Sequence, residues 1–359
     1  MGTRRSPLLA AGLGLAVAAA ILACMELGAG LVEGHRVPDH SAPLPAVADD
    51  VVMPPHPYLL WEHRPGERQE MGVAVTINSL GLRGPEPATP KPPGVRRIMA
   101  VGDSSVYGFG VPLEDSFTEV ATLDLGGQQR GIEGMTAALP GYSTLQLLNL
   151  LQLRALALEP DLVVLAALWS DNATAKVQDA QLLDRYQRFD SSLAGIVDRG
   201  LQRSALYRVM RWELGVQRGT QATARAHYTP ADQDPAGSLH RVPIERYRDN
   251  LEALADLVDQ RGAELAVLVL PHPDDLNPHD RGQPSFIAYR DALRALADRR
   301  DAPLVDGATV FAQAAAQDPT LNRQALFLDN IHPTARGHAL LGHALAEVLQ
   351  DWEFETRPE

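Results

Sequence analysis

A serine and a histidine lie far apart in this chain of 359 residues, each within a local pattern that favours catalysis. Ser104 follows the apolar run Arg97 to Val101, and glycines come soon after it, which is typical of a buried strand that ends in a loop. His332 comes shortly after Asp329 and just before a predicted helix. A histidine can remove the proton of a serine hydroxyl, and a carboxylate can fix the tautomer of that histidine. The pattern therefore predicts a nucleophile, a general base and an orienting acid.

The segment Gly102-Asp103-Ser104 and the segment Asp329-Asn330-Ile331-His332 resemble the first and last motifs of the SGNH/GDSL hydrolases, in their order and in their separation. The resemblance covers roughly residues 95 to 350. It implies a serine ester hydrolase that works through an acyl-enzyme. Taken alone, Ser104 could be a serine that caps a helix, and His332 could be a surface histidine. The placement of the two motifs together favours catalysis.

The resemblance also implies an oxyanion hole, to which Ser104 contributes its backbone N–H. In this family a glycine after the second strand supplies another N–H. Gly131 to Leu139 form the predicted second strand, and Gly141 follows it, so Gly141 is the candidate donor. A residue without a side chain lets its amide approach a substrate oxygen closely. The alternative is an ordinary turn glycine between a strand and a helix.

The third family motif, Gly-x-Asn-Asp, is altered in this chain. The predicted third strand, Asp161 to Leu168, is followed by Trp169-Ser170-Asp171-Asn172. If Asp171 takes the place of the family aspartate, Ser170 occupies the position of the asparagine and Asn172 comes two positions late. Losing one oxyanion donor can cost ~10²–10³ in rate, so the difference matters. Both residues stay candidates, and Asn172 is favoured slightly because its amide is the same chemical group.

The N-terminal segment, residues 1–34, is predicted to be a membrane anchor or a signal segment. Leu8 to Val32 is apolar apart from Glu26, and at ~1.5 Å per residue it can cross a hydrocarbon core of ~30 Å. Arg4 and Arg5 precede it, which predicts a cytoplasmic N-terminus and a catalytic domain outside the cytoplasm. The alternatives are a cleaved or twin-arginine signal peptide and a lipoprotein attached through Cys24, the single cysteine. All of them predict export, to the periplasm or the cell surface.

The rest of the chain is predicted to comprise a linker and N-terminal extension (35–94) and one hydrolase domain (95–352). Alternating strands and helices predict a flavodoxin-like three-layer α/β/α fold with a mainly parallel sheet of about five strands. Residues 173–244 are expected to be an insertion, either a lid over the active site or a peripheral helical decoration.

The predicted strands are 73–77 in the extension and 97–101, 132–139, 161–168, 263–270 and 303–305 in the domain. The predicted helices are 115–125, 143–158, 178–189, 193–214, 245–261, 285–300, 309–316 and 334–351.

Net charge argues against nucleic acid as a partner, and residue spacing argues against a bound metal ion. The chain has 32 Lys and Arg against 45 Asp and Glu, a net charge of −13, so nucleic acid is not an expected partner. The local groups His272 with Asp274 and Asp275, and His279 with Asp280, lack the regular spacing of a zinc or calcium site. No metal and no cofactor are predicted. The expected partners are a small-molecule, glycan or lipid ester substrate and the membrane, bound by the N-terminal helix.

Three functions are compatible with these residues. The first is an exported hydrolase of an acyl or acetyl ester, carried by a carbohydrate or a lipid. The second is an O-acyltransferase of cell-surface polysaccharide that uses the same triad and passes the acyl group to a sugar hydroxyl. The third is a polysaccharide-binding protein whose altered third motif marks lost catalysis. The sequence leaves the acyl group, the alcohol and the oligomeric state open.

Overall fold

The computed structural model describes residues 7–36, 55–56, 58–175, 177–213, 239–276 and 285–350. Contacts between residues divide the chain into two compact units. The anchor unit comprises residues 1–42 and 185–223, and the catalytic unit comprises residues 43–184 and 224–359.

The strands are β1 (Pro55–His56), β2 (Leu60–Trp61), β3 (Gly66–Glu70), β4 (Val73–Ile77), β5 (Arg96–Gly102), β6 (Ile132–Ala138), β7 (Leu162–Ala166), β8 (Thr174–Ala175), β9 (Leu239–His240), β10 (Glu264–Val269) and β11 (Leu304–Asp306). The helices are α1 (Pro7–Arg36), α2 (Ser104–Tyr107), α3 (Phe117–Asp124), α4 (Thr144–Leu153), α5 (Trp169–Asn172), α6 (Asp179–Ser191), α7 (Leu193–Leu201), α8 (Ala205–Glu213), α9 (Ile244–Gln260), α10 (Phe286–Arg300), α11 (Gly307–Gln317), α12 (Arg323–Leu326) and α13 (Ala335–Val348).

A parallel sheet of five strands forms the core of the catalytic unit, in the spatial order β6-β5-β7-β10-β11. All five residues of β7 are buried. Because neighbouring residues of a strand point to opposite faces, both faces of the sheet must be covered. The surrounding helices pack in two groups, α3 with α13 and α11, and α4 with α9 and α10. The predicted flavodoxin-like α/β fold is therefore confirmed.

The strand order places a crevice between β5 and β7. The chain runs from β5 to β6 on one side of the sheet and then returns to β7 on the other side of β5. The loops after β5 and β7 therefore lead away in opposite directions, and such a switch point is where ligands bind in open parallel sheets. Ser104 follows β5, and Trp169 follows β7. The fold thus brings the first and third motifs to the same edge.

From Tyr58 onward, the described N-terminal extension is part of the catalytic unit. Leu59, Leu60 and Trp61 are buried, and β3 pairs with β4 in an antiparallel hairpin. Only β4 of this hairpin was predicted, because the polar run of β3 carries no hydrophobic alternation. This part of the predicted linker is therefore structured, since its apolar side chains find partners on the core.

Arg83 lies between β4 and β5 and contacts the segment that follows Ser104. Its side chain is buried, and the guanidinium donates to the carbonyl oxygens of Tyr107 and Gly108 at 2.7 Å each. It also donates to the carbonyl of Val111 at 2.5 Å. Arg83 therefore holds the segment that follows Ser104, because one planar guanidinium satisfies several carbonyls at once.

In the anchor unit, Leu13–Val32 of α1 is long and apolar enough to cross a membrane. The helix predicted over residues 193–214 is divided into α7 and α8 by a turn. The break has a physical cause. Ser204 ends the turn, and Glu26 accepts hydrogen bonds from the N-terminal residues of α8, which would be inaccessible in a continuous helix.

Candidate active site

The strand β5 delivers Ser104 to the edge of the sheet. A Cβ at Gly102 would lie 2.5 Å from the carbonyl oxygen of Ala166, so only glycine fits where β5 meets β7. Asp103 then caps α2 by accepting a hydrogen bond from the Ser105 N–H at 3.0 Å. Ser104 is the first residue of α2, so its own N–H has no acceptor within the helix. The hydroxyl and a backbone donor therefore stand at the same point.

His332 and Asp329 complete a continuous hydrogen-bonded chain with Ser104. The His332 Nε2 atom lies 2.7 Å from Ser104 Oγ, and the His332 Nδ1 atom lies 2.7 Å from Asp329 Oδ2. The second oxygen of Asp329 accepts the backbone N–H groups of Ile331 and His332 at 2.8 Å each. The Ser105 hydroxyl donates to the Ile331 carbonyl at 2.8 Å and so joins the two loops. The arrangement can pass a proton from a serine to an oriented imidazole.

The pKa of Asp329 is lowered to about 2 in this arrangement. Burial raises the pKa, but the hydrogen bond and charge of His332, together with the two backbone N–H groups, lower it by more. The carboxylate is therefore ionised at neutral pH and holds the proton on Nδ1. Nε2 is then free to accept the proton of Ser104.

Asp103 joins the first motif to the third, a role that the sequence analysis did not assign. Its Oδ2 atom accepts the backbone N–H groups of Trp169 at 3.0 Å and Ser170 at 3.2 Å. Burial raises the pKa of Asp103, against the lowering effect of these hydrogen bonds and of His332. The carboxylate thereby fixes the start of α5 beside Ser104.

Gly141 has a left-handed backbone conformation, with φ of 80°. A Cβ there would lie 3.1 Å from the Trp61 ring, so a side chain is disfavoured by both conformation and space. Its carbonyl accepts a hydrogen bond from Arg241 Nη1 at 2.7 Å. Among the described residues, none accepts a hydrogen bond from the Gly141 N–H. The Gly141 N–H is therefore available to donate a hydrogen bond to a ligand.

Arg241 was missed by the sequence analysis, and it supports the Gly141 loop. It forms a fully buried ion pair with Asp179, with the Arg241 Nη2 atom 2.7 Å from Asp179 Oδ2. It also donates to Gln146 at 3.1 Å and lies over the Trp61 ring at 5.5 Å. Arg241 and Asp179 are the two ends of the predicted insertion, so no local pattern could have indicated their contact. The ends of this insertion therefore form part of the catalytic unit.

In the third motif, Asp171 is hydrogen-bonded to Thr144. Its carboxylate accepts the Thr144 N–H at 3.0 and 3.1 Å and the Thr144 hydroxyl at 2.6 Å. Burial raises the pKa of Asp171 to about 7, although these hydrogen bonds and Arg241 act to lower it. Asp329, and not Asp171, is therefore the carboxylate that is hydrogen-bonded to His332.

The two candidate side-chain donors differ in access. Ser170 is completely buried, and its hydroxyl has no partner among the described residues. Asn172 is 6% exposed, and its side-chain oxygen is buried without a partner in the described part of the chain. The Asn172 backbone is fixed, because its N–H donates to Leu168 at 3.1 Å and its carbonyl oxygen lies 2.7 Å from His240 Nδ1.

Within the described residues, no group of three or more His, Cys, Asp or Glu side chains is arranged to hold a metal ion. Asp275 is buried in an ion pair with Arg290, with 2.8 Å between Asp275 Oδ2 and Arg290 Nη2. His272 packs against the rings of Trp169 and Phe286. His279 and Asp280 lie outside the described residues.

Residues 100–340 match the model of the GDSL-like lipase/acylhydrolase family. This match covers more than half of the chain, so the protein belongs to that family. It is a GDSL-type serine hydrolase that acts on ester bonds. Comparison with the curated proteins gives no significant match.

Several solved structures are similar to this chain. LAE5, an α/β hydrolase from the metagenome of Lake Arreo in Spain, is 16% identical, with a TM-score of 0.47 over 72% of this chain and 96% of its own. The acetyl xylan esterase AlAXEase is 15% identical, with a TM-score of 0.46 over 70% and 99%. Axe2, an acetylxylan esterase from Geobacillus stearothermophilus, is 14% identical, with a TM-score of 0.45 over 73% and 97%.

Proposed function

We propose that this protein is an exported, membrane-tethered ester hydrolase in which Ser104, His332 and Asp329 form the catalytic triad. The single observation that carries the proposal is the hydrogen-bonded chain from Ser104 through His332 to Asp329, with 2.7 Å at each of its two steps. Its roles are those of a nucleophile, a general acid–base and an orienting carboxylate.

The reaction proceeds through an acyl-enzyme. Ser104 Oγ attacks the ester carbonyl carbon while His332 Nε2 takes the hydroxyl proton, and the carbonyl oxygen becomes an oxyanion. When the tetrahedral intermediate collapses, the bond to the alcohol oxygen breaks, and His332 gives its proton to the leaving alcohol. Water then attacks the acyl-enzyme with His332 again as base, which releases the acid and restores Ser104.

The oxyanion is held by the backbone N–H groups of Ser104 and Gly141 and by the side chain of Asn172. Both backbone groups are oriented before substrate arrives. The helix α2 begins at Ser104, and the Trp61 indole N–H donates to the Pro140 carbonyl, which shares a peptide group with the Gly141 N–H. Asn172 is preferred to Ser170 because Ser170 is completely buried, whereas Asn172 keeps some exposure and its amide nitrogen can donate a hydrogen bond. Donors aimed at a developing charge can supply several kcal/mol of catalysis, on the order of 3–4 for one donor.

The substrate is an acyl or acetyl ester of a carbohydrate or a lipid, encountered outside the cytoplasm. The apolar α1 tethers the enzyme to the membrane. Fractionation tests this part, because an integral membrane protein stays in the pellet after an alkaline carbonate wash. Protease added to spheroplasts should then digest the catalytic unit. A full-length protein found in the cytoplasm would contradict the proposed location.

A fluorophosphonate probe tests the chemistry, because it labels a serine only when a base activates it. The full-length protein should be labelled, and Ser104→Ala should abolish labelling. Ser191→Ala is the matched control, since Ser191 is an exposed serine of α6 and should leave labelling unchanged. Labelling that persists in Ser104→Ala would refute the assignment of the nucleophile.

A further inference from the structure

The helix α7 of the anchor unit presents a continuous apolar face to solvent. Leu193, Ile196, Val197 and Leu201 are 77%, 54%, 50% and 45% exposed. Their spacing of three and four residues places them on one side of the helix. The opposite side contains Asp198, Arg199 and Gln202, which bond to other polar groups. A soluble protein normally turns such an apolar stripe toward its core, and here the stripe faces outward.

The following helix, α8, is fastened to the apolar helix α1. Glu26 accepts hydrogen bonds from the Ser204 hydroxyl at 2.6 Å, the Ala205 N–H at 2.5 Å and the Leu206 N–H at 3.2 Å. The single charged residue of the apolar run thus satisfies free N–H groups at the start of α8. Ala29, one turn further along α1, is only 7% exposed, in contrast to its apolar neighbours. These contacts bind α7 and α8 to one level of α1.

The uncharged part of α1 sets the height of this level. The stretch from Pro7 to Met25 is about 28 Å long at ~1.5 Å per residue, close to the ~30 Å of a hydrocarbon core. The apolar run Leu13–Val32 contains Glu26, but a charged side chain in hydrocarbon is costly, so we place the uncharged stretch in the core and Glu26 at the boundary on the side away from the N-terminus. An exposed apolar stripe that is held at this boundary meets lipid and not bulk water.

We propose that α7, with the turn that leads into α8, lies in the membrane–water interface and inserts its apolar face between the lipids. The bilayer is the occupant because the stripe is fixed to the membrane helix at the height where lipid headgroups begin. An amphipathic helix in this position buries its apolar side to a depth of about 5–10 Å. Within the predicted insertion, α7 is then a second membrane contact and not part of a lid. The inference rests on the proposed membrane anchoring by α1.

Depth-dependent fluorescence quenching tests this contact in the full-length chain. Cys24→Ser removes the single cysteine, and one cysteine is then introduced by Leu193→Cys, Ile196→Cys, Gln202→Cys or Leu15→Cys. Each variant is labelled with an NBD fluorophore and reconstituted in phosphatidylcholine vesicles, with or without nitroxide groups on the acyl chains. Unchanged ester hydrolysis shows that the catalytic unit of each labelled variant is folded, and an unchanged helical signal in circular dichroism shows the same for the anchor unit.

We expect nitroxide groups near the headgroup end of the acyl chain to quench the labels at 193 and 196 most strongly, and nitroxide groups near the other end of the chain to quench the label at 15 most strongly. The label at 202, on the opposite side of α7, should instead be quenched by iodide in the water. If only the label at 15 is quenched by lipid, the interfacial contact is refuted and the anchor stands. If the label at 15 also escapes quenching by lipid, the proposal that α1 is inserted in the membrane is refuted as well. Labels at 193 and 196 that escape both quenchers would mean that protein covers the face, which also overturns the proposal.

Discussion

The two halves of the catalytic site are built in different ways. In the half that contains the proposed triad, the acid and the base are held by local contacts, since Asp329 binds both the ring and the backbone N–H of His332 within one short loop. The half that contains the proposed oxyanion hole depends on distant residues. Trp61 packs on Gly141, and Arg241 binds its carbonyl, from positions far away in the sequence. The pairing of Asp329 with His332 is therefore indicated by a sequence motif, whereas the contacts around the proposed oxyanion hole depend on the tertiary fold.

The largest effects should come from removing the triad. Ser104→Ala and His332→Ala should each lower kcat by about 10⁴-fold or more, because the nucleophile or its base is lost. The double variant should be scarcely worse than either single variant, since the two residues act as one unit. Steady-state kinetics on one ester substrate measures all three proteins. Multiplicative losses in the double variant would mean that Ser104 and His332 act separately.

Asp329→Asn should lower kcat by about 10³–10⁴-fold, because an amide cannot hold the correct tautomer of His332. The Thr144-bound Asp171 is the comparison site, and Asp171→Asn should act mainly on stability. A crippling loss of kcat in a folded Asp171→Asn protein, with Asp329→Asn harmless, would show that the wrong acid has been assigned. Circular dichroism and kinetics on both variants separate the two effects.

Acid titration should reveal how the Asp329 carboxylate contributes to the stability of the folded protein. The pKa of Asp329 is lowered in the folded protein, to about 2, so its ionised form stabilises the fold. This contribution is complete above the unfolded value of about 4 and is lost as the pH falls toward 2. Denaturant unfolding between pH 5 and pH 2.5 should therefore show a shallower loss of stability in Asp329→Asn than in the wild type. Parallel curves for the two proteins would exclude this linkage.

The oxyanion half should give intermediate effects. Asn172→Ala is expected to lower kcat by about 10² or more with little change in KM, because its hydrogen bond strengthens in the transition state. Ser170→Ala should cost about tenfold or less, since a weak donor contributes little. The reverse ranking would make Ser170 the donor. Two silent substitutions would leave only the backbone N–H groups in the oxyanion hole.

Sequence patterns predicted the sheet well because hydrophobic runs end where strands end. The predicted strand 132–139 corresponds to Ile132–Ala138, and the predicted strand 263–270 corresponds to Glu264–Val269. Residues 193–214 formed one predicted helix because their periodicity continues through the turn, and the capping carboxylate of Glu26 comes from far away in the chain. Long-range polar contacts leave no periodic signal, so the pairing of Arg241 with Asp179 could be found only in the structure.

The smallest effect should come from the extension, at Trp61. Its indole N–H donates to the Pro140 carbonyl at 3.2 Å, and its ring lies against Gly141. Trp61→Phe keeps an aromatic ring and removes this hydrogen bond, so the Gly141 peptide should become less well oriented. We expect kcat to fall by about three- to tenfold with KM nearly unchanged, which corresponds to a loss of about 1 kcal/mol.

A matched control for Trp61 lies in the same extension. Tyr58 is 46% exposed, so Tyr58→Phe should leave kcat unchanged. A structural role alone would lower the thermal stability of Trp61→Phe without lowering kcat in the folded protein. A loss of kcat that is absent in Tyr58→Phe would instead show that the N-terminal extension positions the oxyanion hole. Trp61 does not contact the proposed triad. A fluorophosphonate also needs the oxyanion donors to react with Ser104, so the rate at which it labels Trp61→Phe should fall by the same factor as kcat and no further.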